Sequence, residues 1–205
     1  MTEKEAQDWL RTNIDVSRET WQQLEDFLAL LADEMVHQNL ISKLSAEHIW
    51  ERHVVDSAQL LLFAPKAEGN EIWMDLGTGA GFPGIVVAIL SDYVVQMVES
   101  RGRRSAFLET VVNKLGLTEK AMIYGDRLEN VESHAVDVIS ARAFAPLPKL
   151  LSLSHRFSTE KTVWLLPKGK NAVRELKGLS PKRQKMFHVE QSLTDPEAGI
   201  LVGIG

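Results

Sequence analysis

Hydrophobic residues in the first 70 positions recur at the spacing of helices. The positions that share one helical face are Trp21, Leu24, Phe27, Leu28, Leu31 and Met35. Ser17 precedes this run and is typical of a helix N-cap. Further short apolar clusters continue to Leu62, with a break at residues 39–42. These patterns predict an N-terminal helical extension over residues 1–70 that packs on whatever follows it.

From residue 71 onward, apolar runs of strand length alternate with helical patterns. The predicted strands cover residues 72–76, 94–99, 121–124, 136–140 and 163–166, followed by a possible hairpin of residues 185–190 and 199–204. Helices are expected after the first, second and fourth strands. This order predicts an α/β fold over residues 71–205, with a doubly wound, Rossmann-like parallel sheet. Ligands of such sheets bind beyond the carboxyl ends of the strands.

A glycine-rich turn follows the first predicted strand, with the sequence Gly77-Thr78-Gly79-Ala80-Gly81-Phe82-Pro83-Gly84. Gly77 and Gly79 allow backbone conformations closed to other residues and let a ligand approach the chain closely. The segment also fits the dinucleotide pattern G-x-G-x-x-G, so the glycines alone do not choose the cofactor. No P-loop motif occurs in the chain.

Two acidic residues frame this turn. Asp75, two residues before Gly77, would repel a pyrophosphate but attract the ammonium group of S-adenosylmethionine (SAM), and it therefore favours SAM over NAD. Glu99 ends the second predicted strand, about 20 residues after the glycines, where a carboxylate can bind both ribose hydroxyls. Since both cofactors contain that ribose, Glu99 does not separate them.

Composition narrows the class of protein. Cysteine is absent, which excludes disulfides and thiolate ligands. Neither a signal peptide nor a membrane-length apolar run is evident, so we expect a cytoplasmic protein. His48 and His53 are five residues apart, which is not the spacing of a helical zinc pair, and no metal is expected. Arg52 or His53 could instead pair with Asp56 on one helical face.

Charge is distributed unevenly along the chain. Residues 1–99 carry 17 Asp and Glu against 6 Lys and Arg, whereas residues 139–190 carry 11 Lys and Arg against 3 Asp and Glu. This asymmetry indicates either a basic surface for an anionic partner or two halves that attract each other on folding.

The glycine turn and several shorter motifs resemble a known family. Residues 75–81 resemble motif I of SAM-dependent methyltransferases, and residues 79–84 resemble the bacterial glucose-inhibited division protein B family of 16S rRNA (guanine(527)-N7)-methyltransferases. The other motifs that resemble this family are Asn39-Leu40-Ile41, His53 with Asp56-Ser57, Val98-Glu99-Ser100, Arg127 with Glu129, Ser140-Ala141-Arg142-Ala143 and Lys168-Gly169.

The resemblance implies a function and a set of site residues. The activity would be methyl transfer from SAM to N7 of one guanine in the 530 loop of 16S rRNA, free or in a small-subunit particle, by a monomer. Gly77 and Phe82 would contact SAM, Leu128 and Glu129 would lie along the adenosine, and Arg142 would reach the cofactor or the base. We hypothesise that Arg142 orients the guanine while Asn39 and His53 shape its pocket.

Basic residues would hold the RNA. The expected contacts are Arg103, Arg104, Lys149, Lys168 and Lys170. Two other functions remain open from the residues alone. A small-molecule methyltransferase would use the same SAM turn without needing the basic segment, and a non-catalytic RNA-binding assembly factor would use the basic segment without needing the turn.

Overall fold

The computed structural model describes residues 1–205 and contains one seven-stranded sheet. The strands are β1 (Ile72–Leu76), β2 (Val94–Val98), β3 (Ala121–Tyr124), β4 (Val138–Ala141), β5 (Val163–Gly169), β6 (Phe187–Gln191) and β7 (Gly199–Ile204). Their order across the sheet is β3-β2-β1-β4-β5-β7-β6. The first five strands are parallel, while β7 is antiparallel to both β5 and β6. The predicted doubly wound α/β fold and the C-terminal hairpin are therefore confirmed.

Helices precede the sheet and connect its strands. The N-terminal helices are α1 (Glu3–Asn13), α2 (Arg18–Glu34), α3 (Lys43–Ala46) and α4 (Asp56–Ala58), with a π-helical segment at Trp50–Val55 and a 3-10 turn at Gln59–Leu62. The later helices are α5 (Gly84–Leu90), α6 (Gly102–Lys114), α7 (Leu147–Ser154), α8 (Ala172–Lys177) and α9 (Pro181–Gln184), with 3-10 turns at Leu128–Asn130 and His155–Phe157.

Two features depart from the pattern of the sequence. Strand β5 continues three residues past the predicted end at Leu166, because β7 pairs with it as far as Gly169. The short helices α8 and α9 lie in a segment whose charged residues show no clear helical period. Both departures arise from tertiary contacts with the hairpin, which local patterns do not report.

The sheet separates two hydrophobic cores, because successive side chains of a strand point to opposite faces. Trp73 of β1 joins the core that contains α5, α6 and the N-terminal helices. Met74, the next residue, joins the core formed with α7 and α8. Since parallel strands are covered on both faces, β1 is buried at four of its five positions.

The N-terminal helices pack on the first of these faces. Ser17 caps α2 by accepting a hydrogen bond from the amide of Thr20, as the sequence predicts. Phe27 of α2 packs against Phe82 of the glycine turn, with ring centroids 5.2 Å apart. The side chain of Gln23 donates to the carbonyl of Leu115, beyond the end of α6. These helices thus form a cap over the turn that follows β1. None of the helices combines the length and the apolar character needed to cross a membrane.

Candidate active site

The carboxyl ends of β1 and β4 lie side by side where the strand order reverses direction. A crevice at this point is the usual ligand site of a doubly wound sheet. The segments that leave the two strands are the glycine turn after Leu76 and residues 142–146 after Ala141. The candidate site therefore lies where the topology of the sheet predicts it.

The glycine turn bends sharply over β2. The amide of Gly77 donates to the carbonyl of Val98 at 2.8 Å, and Gly77 has φ of 69°. A Cβ atom at this position would also lie 2.7 Å from the ring of Phe144. Glycine is therefore required at residue 77 both by the left-handed backbone and by the close approach of the loop that follows β4.

Asp75 supports this turn from beneath. Its carboxylate is completely buried and accepts hydrogen bonds from the amide of Gly84 at 3.0 Å and from the hydroxyl of Ser140 at 2.7 Å. Burial raises the pKa of Asp75 above its usual value, although these hydrogen bonds oppose the shift. The side chain lies under the turn and lines neither cavity, and its contact with the ammonium group of a ligand stays a prediction.

Glu99 follows β2 and fixes the other side of the turn. One of its carboxylate oxygens accepts from the amide of Gly79 at 3.1 Å, and the other accepts from the amide of Arg101 at 2.8 Å. An ionised carboxylate offers about four acceptor positions, so capacity for a ligand remains. Glu99 thus combines a fixed orientation with acceptor atoms at the edge of a cavity.

This smaller cavity has a volume of 390 Å³. It is lined by Gly77, Glu99, Leu128 and Glu129, four residues that the sequence assigns to the cofactor, and by Lys149. The 3-10 turn after β3 brings Leu128 and Glu129 to this position. The structure therefore brings together the carboxyl ends of β1, β2 and β3 around one concave surface.

Arg142 lies on the other side of the crevice, against the helical cap. Its Nη1 donates to Asp56 Oδ2 at 3.2 Å and to the carbonyl of Arg52 at 3.3 Å, and its Nη2 donates to His53 Nδ1 at 3.0 Å. The predicted direct pairing of Asp56 with Arg52 or His53 does not form. Asp56 and His53 are instead joined through Arg142, while Arg52 lies 3.7 Å from Asp195.

His53 is neutral in this arrangement. Burial, followed by the charges of Arg142 and Arg52, lowers the pKa of His53 to about 3. Because Nδ1 accepts from Arg142, the proton of the neutral ring is on Nε2, and this buried atom has no hydrogen-bond partner. The ring packs on Phe82 with centroids 4.7 Å apart. The π-helical segment positions His53 here, a distortion that often marks functional sites.

The larger cavity has a volume of 760 Å³. Arg142, His53 and Asp56 form one side of it, and Thr194 and Asp195 from the β6–β7 loop form another. The hydroxyl of Thr194 donates to Asp56 at 2.9 Å. The sequence did not indicate this loop, because only the antiparallel return of the hairpin brings it to the carboxyl edge of the sheet.

Four of the residues predicted for the cofactor or the base line neither cavity: Asn39, Asp75, Gly79 and Phe82. Phe82 is 2% exposed and belongs to the core beneath Arg142, whose guanidinium carbon is 5.7 Å from the ring centroid. Asn39 is exposed, and its carbonyl accepts from Arg104 at 3.2 Å. In the folded chain Phe82 takes part in packing and Asn39 helps to hold the cap on α6. The contact of Phe82 with SAM and the part of Asn39 in shaping the base pocket stay predictions.

The predicted RNA-binding residues are dispersed. Arg103 and Arg104 donate to carbonyls of the cap, and Arg104 also lines the smaller cavity. Lys149 is exposed at the rim of that cavity, and Lys170 forms an ion pair with Glu197 at the surface. Lys168 lines the larger cavity, where its side chain is only 6% exposed and pairs with Glu175 at 3.1 Å. No group of three His, Cys, Asp or Glu side chains is arranged to hold a metal ion.

Comparison with known proteins connects this site to a family. The family model described as rRNA small subunit methyltransferase G matches residues 20–198. The chain is 51% identical to ribosomal RNA small subunit methyltransferase G of Sphingopyxis alaskensis, over 99% of this chain and 86% of the relative. It is 50% identical to the protein of the same name from Rhizorhabdus wittichii, over 98% and 92% of the two chains.

The fold is similar to that of solved structures of low sequence identity. A chain of the fibrillarin/Nop5p complex superposes with a TM-score of 0.56 at 15% identity, covering 75% of this chain and 81% of that one. At this identity the likeness supports the fold alone.

The buried neutral state of His53 predicts a dependence of stability on pH. The unfolded chain binds a proton at His53 below about pH 6.5, whereas the native ring stays neutral down to about pH 3. This contribution to stability is therefore complete above pH 6.5 and is lost as the pH falls toward 3. By pH 5, we expect the free energy of unfolding of the wild type to fall by about 2 kcal/mol relative to that of His53→Gln.

Urea unfolding of both proteins at pH 7 and pH 5 measures this difference. His48→Gln is the matched control, because it removes an exposed imidazole about one helical turn earlier in the cap. Parallel pH curves for wild type and His53→Gln would contradict the neutral buried state.

Proposed function

Because the chain belongs to the rRNA small subunit methyltransferase G family, we propose that it transfers a methyl group from SAM to N7 of one guanine in the 530 loop of 16S rRNA. Membership of the family confirms the coarser prediction of an rRNA methyltransferase that uses SAM. The observation that carries the proposal is the pair of cavities at the strand ends, which share residues 143–145 as a common wall.

The residues of the smaller cavity fit SAM. Gly77 lines the cavity, Glu99 presents a carboxylate for the ribose hydroxyls, and Leu128 offers an apolar surface for the adenine. Glu129 lies beside Leu128 and is exposed. When bound, SAM supplies a methyl group activated by a positively charged sulfur. The residues that line the smaller cavity would hold SAM next to the larger cavity, because residues 143–145 line both.

The proposed reaction needs no general base. N7 of guanine carries an unprotonated lone pair at the edge of the base, so it can attack a methyl group directly. Catalysis then depends on placing N7 in line with the methyl group and on compatible electrostatics. The neutral, buried His53 agrees with this scheme, because the ring holds Arg142 and is not placed to remove a proton.

Arg142 is the residue best placed to orient the base. A guanidinium has five N–H donors. In Arg142, three of these donate to acceptors in the cap. Two donors remain for a ligand in the larger cavity. Guanine O6 is the acceptor next to N7, and arginine is the common partner of that edge. Asp56 balances the charge of Arg142, which limits repulsion of the positively charged sulfur.

The RNA would approach across the rims of the two cavities. Lys149 and Arg127 surround the smaller cavity, and Arg52 is exposed at the larger one. Because a base within a helix is stacked, the target nucleotide must be unpaired or extruded to enter a cavity of this depth. The partner in this proposal is therefore 16S rRNA with an accessible loop, free or in a small-subunit particle.

Transfer of labelled methyl from SAM to 16S rRNA tests the proposal directly. The RNA is isolated from cells lacking the protein, and the modified nucleoside is identified after digestion. We expect 7-methylguanosine at a single site. RNA already methylated by the protein serves as the control and should accept no label. Labelling at another base atom, or labelling of a small molecule only, would refute the proposed function.

Arg142→Lys should separate base orientation from cofactor binding. Lysine keeps the charge but cannot donate to Asp56, His53 and the base in the same plane. We expect single-turnover methyl transfer to fall about a hundredfold, which corresponds to about 3 kcal/mol, while the dissociation constant of SAM changes less than about threefold. Arg18→Lys, at an exposed position at the start of α2, is the matched control. Equal losses in transfer and in SAM binding would assign Arg142 to the cofactor.

Replacing Lys149 with glutamate tests the RNA surface. Loss of a phosphate contact reduces the dependence of affinity on salt concentration. Lys149→Glu should therefore flatten the plot of log affinity against log salt. It should also weaken rRNA binding about tenfold at low salt. Lys66→Glu is the control, because Lys66 is exposed before β1, at the opposite edge of the sheet. A wild-type affinity that barely changes between low and moderate salt would exclude this surface.

A further inference from the structure

Phe144 is the only Phe, Tyr or Trp residue that lines either cavity, and it lines both. The aromatic ring of His53 also borders the larger cavity, but 93% of that residue is buried and its ring packs on Phe82. The ring of Phe144 is only partly buried. It packs against the hydrophobic core on the α7 side of the sheet. A planar apolar surface is therefore available to a ligand at the boundary between the two cavities.

The backbone holds Phe144 in this position. Ala143 has φ of 54°, the only residue other than glycine in the left-handed region. Such a conformation is unfavourable for alanine and persists only where surrounding contacts impose it. It turns the chain at the end of β4 so that the ring of Phe144 stands over Gly77, where a Cβ atom would overlap it.

Contacts on both sides of the ring fix the turn. Before it, Arg142 is bound to Asp56 and His53 of the cap. After it, the carbonyl of Ala145 accepts from Lys168 Nζ at 3.4 Å. Glu175, the partner of Lys168, also accepts from the amide of Leu147 at 3.2 Å. The unexpected burial of Lys168 thus has a structural consequence, because this lysine anchors the wall that carries Phe144.

We propose that Phe144 is a base-positioning residue: the target purine packs on its ring from the larger cavity, and this contact sets how far the base reaches toward the methyl group. The inference rests on the proposed function, since it requires a nucleobase as the methyl acceptor. Stacking fixes the plane of the base, and the free donors of Arg142 fix its rotation within that plane. Together they would define the position of N7.

Aromatic replacement distinguishes stacking from simple filling of space. Phe144→Leu keeps an apolar side chain but removes the π surface, whereas Phe144→Tyr and Phe144→Trp retain it. Loss of the stacking of a base on an aromatic ring typically weakens binding about fivefold or more. We therefore expect Phe144→Leu to lower single-turnover transfer to 16S rRNA at saturating SAM by about tenfold. The tyrosine and tryptophan variants should stay within about threefold of the wild type.

Two further measurements and one control variant complete the experiment. The dissociation constant of SAM should change less than twofold in all three variants, and thermal unfolding should confirm that they fold. Phe63→Leu, a partly buried residue of the cap, controls for the loss of a ring elsewhere. Full transfer by Phe144→Leu, a tyrosine variant as impaired as the leucine variant, or weakened SAM binding that accounts for the loss would each overturn the inference.

The same assay separates this inference from the proposed function. If the wild type produces 7-methylguanosine and Phe144→Leu does so equally fast, only the role of Phe144 is wrong. If the wild type transfers no methyl group to the RNA, the proposed function fails and the inference fails with it.

Discussion

The burial of Asp75 is the constraint on which the site depends. A carboxylate without solvent is costly unless donors surround it, and here the donors come from two separate segments. The amide of Gly84 at the start of α5 and the hydroxyl of Ser140 in β4 both donate to it, and Ser140 in turn accepts from the indole of Trp73 at 2.8 Å. These bonds tie β1 to β4 and close the glycine turn between them. Without Asp75, neither the floor of the smaller cavity nor its distance from Arg142 would be fixed.

The helical cap completes what the sheet alone cannot supply. Arg142 leaves the end of β4, but its orientation is set by Asp56 and His53, which belong to the cap. The β6–β7 loop then holds Asp56 from the far side through Thr194. Three distant parts of the chain therefore converge on one guanidinium group. The partners on the cap accept from three of its donors and balance its charge. Arg142 is therefore held in one orientation and can still bind a ligand. Orientation of a base requires both properties.

Several site residues could be predicted because their positions follow from strand order. Gly77, Glu99 and Glu129 lie after β1, β2 and β3, and parallel strands bring such positions to one edge. The burial of Phe82 and Asp75 could not be predicted, since closeness to the glycine turn along the chain does not say on which side of the backbone a side chain lies. The ion pair of Lys168 could not be predicted for a related reason: the sequence shows a basic residue at a strand end, but not that Glu175, seven residues later, pairs with it in the folded chain.

The sequence by itself determined the elements, the doubly wound order of the sheet and the glycine turn, because these depend on the spacing of apolar residues and on glycine over short distances. Tertiary structure alone decided that Arg142 is bound by the cap, that the hairpin loop borders the larger cavity and that Phe144 separates two cavities. Each of these depends on contacts between residues far apart in the chain. Such contacts leave no local period or motif in a single sequence, and only the folded arrangement of the sheet, cap and hairpin specifies them.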